Sequence, residues 1–225
     1  QIRGLNQAVR NSNDVISLAQ TAEGALQEST NILQRMRELS VQASNDTYTT
    51  EDRASITAEI TQLTSELDRI ASKTQFNGKN VLDGTLSASI HVSSNGGAGT
   101  GIAISLKSGG ATDSFDSTGL GVTSAAVDVS DSTKAKASIT AIDTAIKTID
   151  TGRGTLGAVQ NRLESTISNL SNVSENLSAA RSRVLDADIA AETSAMTKSN
   201  ILQQAGVSIL AQANQTPQLA LSLLG

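Results

Sequence analysis

Few residues in this chain could do chemistry, and none is spaced to do it. The one histidine, His91, stands on an expected strand among Ser and Gly; the chain has no cysteine and no carboxylates at a metal-ligand spacing. Gly152-Arg153-Gly154-Thr155-Leu156-Gly157 matches G-x-G-x-x-G literally. That pattern binds a dinucleotide only where a buried strand precedes it and a helix follows. Here Ile142, Ile146 and Ile149 precede it at helical spacing, so the glycines read as a weakened stretch of helix. The glycine-rich run 95–101 lacks the Lys-Ser/Thr of a phosphate loop and reads as a hairpin tip. No G-x-S-x-G occurs, and no second histidine could serve as the base of a triad. Glu51-Asp52 and Asp186/Asp188 fall on polar breaks and read as helix caps. The expectation is a chain that is not an enzyme and holds neither cofactor nor metal.

The elements around these residues point to a different role. Hydrophobic residues make up 38% of the 225, but aromatics only 1%: Tyr48, Phe76 and Phe115. A compact core usually leans on aromatic side chains, whereas a helix bundle can be built from layers of Leu, Ile and Ala. The only proline, Pro217, leaves nearly the whole chain free for long helices. A net charge of −5, with no basic face and no stacking aromatics, argues against nucleic acid. No apolar run reaches the ~18 residues of a membrane span, so membrane insertion is not expected.

Periodicity supplies the plan. Leu5, Ser12, Ala19, Leu26 and Leu33 are spaced by sevens; Ala8, Val15, Ala22, Ser29 and Met36 form a second row, and Leu18, Ala25, Ile32 and Leu39 a third. This predicts a helix over about 1–44. After a polar break, with Thr49 or Thr50 as cap, Ile56, Ile60, Leu63, Leu67 and Ile70 predict a second helix over 52–73. Helical period then vanishes over 76–131. Ile90-His91-Val92 and 102–106 alternate like hairpin strands, and 125–129 reads as a further weak strand. The period returns over 133–183, with Leu163, Leu170, Leu177 and Val184 on one track that Arg153, Gln160, Ser174 and Arg181 interrupt. A joint is expected at 183–188. Beyond it, Ile189, Met196, Ile201, Leu202, Ile209, Leu210, Leu221 and Leu224 exceed what one narrow stripe can hide. The fold class is thus mainly α: an elongated helical bundle or coiled-coil rod with a small β-hairpin insert and a C-terminal helix.

Both ends resemble bacterial flagellin. The N-terminal blocks are Gln1-Ile-Arg-Gly-Leu-Asn-Gln-Ala, Ser17-Leu-Ala-Gln-Thr-Ala-Glu-Gly-Ala-Leu, Leu33-Gln-Arg-Met-Arg-Glu-Leu-Ser-Val-Gln-Ala and Phe76-Asn-Gly-Lys-Asn-Val-Leu-Asp-Gly. The C-terminal blocks are Leu156-Gly-Ala-Val-Gln-Asn-Arg-Leu, Ala180-Arg-Ser-Arg-Val-Leu-Asp-Ala-Asp and Ala211-Gln-Ala-Asn-Gln-Thr-Pro-Gln. The resemblance implies a D1-like rod over 1–185 and a D0-like helical segment over 187–225. It implies self-association into the flagellar filament for motility, export through the flagellar type III system, and an extracellular location. It also implies a flagellin-specific secretion chaperone on the C-terminal segment, and an innate-immune contact with the flagellin-sensing Toll-like receptor at Gln34, Arg35, Leu39 and Glu59. The opening residues read as mid-helix without an initiator Met, so the family's extreme N-terminal segment is expected to be missing. A hook–filament junction protein shares the terminal logic. A surface adhesin would need an aromatic platform or a polar pocket in 85–131, and Phe115 alone does not provide one.

Overall fold

The computed structural model describes residues 1–93, 101–110 and 112–222, with the side chains of 185–188 and 215–222 outside that description. It forms two compact units, Gln1–Asn172 and Val173–Gly225.

In the first unit, α1 (Ile2–Ala43) buries the first two seven-residue rows completely, from Leu5 and Ala8 to Leu33 and Met36. Leu18, Ala25 and Ile32 of the third row are half-buried at the edge of that face. α1 ends at a loop that Arg53 closes. This side chain is 7% exposed and donates through Nη1 to the Ala43 carbonyl and through Nη2 to the Asn45 carbonyl at 3.0 Å. A cation is thereby placed against the negative end of α1, where the last carbonyls lack helical partners. α2 (Thr50–Lys73) starts on a capping box: the Asp52 N–H donates to Thr49 Oγ1 at 3.2 Å, and the Thr49 N–H donates to Asp52 Oδ2 at 3.1 Å. The Asp52 carboxyl is held below its usual range, first by the Thr49 hydroxyl and then by the Thr49 N–H. The box uses Asp where Glu or Gln is customary, so it is easily passed over in the sequence.

α3 begins at Ser132 and runs to Ser222. Its first-unit part lies antiparallel to α1, as cross-links show: Arg37 meets Asp143 at 2.6 Å, whereas Glu23, about four turns earlier in α1, meets Gln160 at 3.4 Å and Arg153 at 3.7 Å. Arg153 and Gln160, which interrupt the apolar track, thus form one polar layer with Glu23. Ile142, Ile149, Leu156 and Leu163 are fully buried, and Leu170, at 9% exposure, closes the core. Leu177 is only half-buried and Val184 is 72% exposed, so these two positions on the track are not core. The first unit accordingly ends at Asn172, ahead of the expected edge at 185. α3 also continues unbroken through 183–188, where a joint was expected. That stretch contains neither Gly nor Pro, and nothing in it stops a helix.

The insert supplies the remaining elements: β1 (Gln75–Phe76), β2 (Lys79–Asn80), β3 (Ser87–His91) and β4 (Gly101–Ser105). β1 pairs with β2 and β3 with β4, both antiparallel, with Ala88 opposite Ile104 and Ile90 opposite Ile102. The stretch 125–129 is turn and loop rather than strand. Val127 and Val129 are nonetheless buried, because Ser138 of α3 donates to the Asp128 carbonyl at 3.0 Å and draws the loop inward. The insert is moored to α2 by the Ser117 N–H on Asp68 Oδ1 at 2.8 Å and to α1 by Asn11 on the His91 carbonyl at 3.3 Å.

Phe115, fully buried, explains one of the glycines. A Cβ at Gly152 would lie 2.9 Å from Phe115 Cζ and 3.8 Å from Leu106 Cδ1, so the ring rests directly on the α3 backbone. Gly154 and Gly157 meet nothing within 4 Å. Gly152→Ala is expected to destabilise the protein by about 1–3 kcal/mol through overpacking. Gly154→Ala should stabilise it by up to ~1 kcal/mol through helix propensity. Thermal melts of the two variants check this opposite pair of signs.

Candidate functional site

Two surfaces gather the residues singled out in the sequence, one in each unit. The first is a charged patch on the outer faces of α1 and α2. Arg35 donates through Nε to Glu59 Oε1 at 2.9 Å and through Nη1 to Glu38 Oε2 at 3.2 Å. Its hydrogen bond to the Glu59 carboxylate, and then that to Glu38, raise the pKa of the guanidinium above its ordinary range. Arg35 and Glu59 are about half exposed, and Gln34 beside them is exposed. Such a surface pair adds little stability, but it fixes the Arg35 fork in one direction. Leu39 does not belong to this patch. At 2% exposure it is part of the bundle core, because its helical phase follows Met36 and precedes Ala43 on the inner face. The expected apolar contact beside Arg35 is therefore absent at Leu39.

The second surface is the part of α3 in the second unit. Ile189, Met196, Ile201, Leu202, Ile209 and Leu210 are 59–67% exposed, and Val207, not singled out in the sequence, is 64% exposed. Leu224 and the Leu221 side chain lie outside the described residues. At 3.6 residues per turn these seven positions spread over roughly 240° of the helix circumference, with Ile201 and Leu210 on opposite sides. A helix that packs on one partner needs an apolar stripe of little more than ~100°; one that is apolar most of the way round is buried on several sides. Thr193 and Thr197 bend their hydroxyls back onto the Ile189 and Thr193 carbonyls, so they add little free polarity to this face.

Among the described residues, no group of three or more His, Cys, Asp or Glu is placed to hold a metal, and no helix is long and apolar enough to cross a membrane.

The comparisons with known proteins place both helical ends in one family. Residues 1–87 match the model of the bacterial flagellin N-terminal helical region, and 139–224 that of the C-terminal helical region. The chain is 50% identical over 224 residues to a flagellin of Halalkalibacterium halodurans, covering all of this chain and 80% of that one. It is 45% identical over 239 residues to the flagellar filament 33 kDa core protein of Treponema phagedenis, covering 100% and 81%. The crystal structure of Bacillus cereus flagellin superposes with a TM-score of 0.59 at 35% identity, over 76% of this chain and 94% of that one. With its paired helical ends, buried seven-residue rows and full-length likeness to these relatives, the chain belongs to the bacterial flagellins.

Proposed function

We propose that this flagellin is exported through the flagellar type III system and polymerises through the second-unit part of α3 to build a filament for motility. A flagellin is a structural component of the extracellular flagellar filament and not an enzyme. The observation that carries the mode of assembly is the 240° apolar surface, roughly, of a helix whose side chains are about two-thirds exposed. A single binding groove would bury one stripe and leave the rest in water, an aggregation hazard. Neighbouring copies packed on several sides bury it all. Before assembly, a flagellin-specific secretion chaperone covers part of the same face, in a helix-in-groove mode anchored at Ile189, Met196, Ile201, Leu202, Ile209 and Leu210. Electron microscopy of the polymerised protein, with charge variants on opposite sides of α3, tests the assembly reading.

A second proposal rests on the patch in the first unit. Gln34, Arg35 and Glu59 form a contact for the flagellin-sensing Toll-like receptor, with Arg35 as the anchor, since a pre-oriented arginine fork is a frequent hot spot. Arg35→Ala should raise the half-maximal dose in receptor-reporter cells about tenfold or more. An unchanged dose–response curve would remove Arg35 from the contact.

A further inference from the structure

We propose that Asn77-Gly78, at the tip of the β1–β2 hairpin, is a site of spontaneous covalent modification at which Asn77 is converted to aspartate and isoaspartate. The chemistry needs only water. The Gly78 backbone nitrogen attacks Asn77 Cγ; the N–Cγ bond forms, the Cγ–Nδ2 bond breaks, and ammonia leaves with the proton of the Gly78 N–H. Water then opens the five-membered imide. Cleavage between Cγ and the Gly78 nitrogen yields aspartate. Cleavage between the Asn77 backbone carbonyl carbon and that nitrogen yields isoaspartate, whose main chain runs through the side-chain carbon.

Three features of the fold favour the reaction here. A glycine follows the asparagine, so no side chain obstructs the attacking nitrogen. Asn77 and Gly78 are both exposed, and among the described residues no hydrogen bond to the Asn77 side-chain amide is made. The hairpin is also slight: Gln75↔Asn80 and Phe76↔Lys79 pair across it and one further bond, from the Val81 N–H to the Thr74 carbonyl at 3.2 Å, closes its base, with φ of 50° at Asn77 and 76° at Gly78 marking a two-residue turn of the I′ type. Opening so short a ladder lies at the low end of the range of local unfolding, so the fold offers little protection.

The neighbouring Asp83-Gly84 step is an internal control with the same sequence logic and the opposite structure. Asp83 Oδ1 accepts from the Thr85 N–H at 3.0 Å and the Thr85 hydroxyl at 2.6 Å, and Oδ2 accepts from Asn80 Nδ2 at 2.9 Å. Burial opposes ionisation of this carboxyl, but these bonds prevail and hold it below its usual range. An ionised, tethered carboxylate is a poor electrophile, so Asp83 should not isomerise. The other Asn-Gly step, Asn95-Gly96, lies outside the described residues.

Isoaspartate at 77 would lengthen the main chain inside a two-residue turn and disturb the pairing of Phe76 with Lys79. Phe76 is half-buried against the core, so the modification would loosen the insert where it meets α2 and record the age of the subunit.

The test is peptide mapping by mass spectrometry on the full chain aged at mildly alkaline pH, folded and in urea, with an isoaspartyl carboxyl methyltransferase as the probe for the rearranged product. Asn77 should convert before every other described asparagine, at a folded rate within about tenfold of the rate in urea. Asp83 should remain unchanged in the folded chain. Gly78→Asn, which tolerates the left-handed turn, should slow conversion of Asn77 at least several-fold. Any loosening of the turn by that variant would speed the reaction, so a fall cannot come from misfolding. An Asn77 that stays intact in the folded chain while it converts in urea would overturn the proposal, as would Asn77 conversion undiminished in the Gly78→Asn variant.

Discussion

Ile201→Asp and Leu210→Asp, introduced separately, should each raise the critical concentration for polymerisation more than about a hundredfold. The two positions are 60% and 65% exposed in the subunit and stand on opposite sides of α3. If both sides are buried between copies, each aspartate becomes an unpaired charge in an apolar contact. Breaking buried electrostatic balance in this way costs about 3–5 kcal/mol, and 1.4 kcal/mol corresponds to a factor of ten. The first unit has its own core, so its melting temperature should not change in either variant. Sedimentation of polymer against subunit concentration measures the effect. A one-sided assembly would leave one of the two variants near the parent, and that asymmetry would limit the contact to a single stripe.

Leu163→Ala, Leu170→Ala and Leu177→Ala should form a falling series of stability losses. These residues are spaced by sevens on one track of α3, yet their burial differs: Leu163 is fully buried, Leu170 is 9% exposed and Leu177 is half-buried in the second unit. Truncating a fully enclosed leucine costs about 3–5 kcal/mol, the lost transfer energy plus the cavity. Leu170 should cost about 2 kcal/mol, because its site is partly open and can collapse. Leu177 should cost no more than ~0.5 kcal/mol, the usual range for a surface position. Urea titration of the three variants reads the series directly. Equal losses at all three would mean that the bundle extends past Asn172.

That series also marks how far the sequence could be read. The rows from Leu5 and Ala8 onward predict a buried α1 face, and the structure buries them, because seven-residue spacing and helical phase are the same statement. Leu163, Leu170 and Leu177 carry identical local signals and differ only in what lies across from them, which periodicity does not encode. Leu39 illustrates the same loss in the first-unit patch. It sits four residues after Arg35, close enough to suggest one shared surface, yet the phase that exposes Arg35 turns Leu39 into the core. Gly152 reads as a weak point in a helix until Phe115, distant in sequence, is found against its backbone. The apolar excess beyond Ile189 was legible from its breadth alone. Its spread around the helix, including Val207, follows from α3 being helical throughout 189–210. The patch at Gln34, Arg35 and Glu59 was placed by resemblance, and its ion pairs by the structure.

The central claim is that α3 of the second unit passes from water into a contact that surrounds it. Hydrogen exchange over residues 189–214, compared between dispersed subunits and the polymer, tests it most directly. An isolated helix with exposed side chains is marginal in water and should exchange rapidly in the subunit. In the polymer the whole segment should become strongly protected, at positions on the Ile201 side and the Leu210 side alike. Exchange in the polymer as fast as in the subunit would contradict the account, since the helix would then remain in water after assembly.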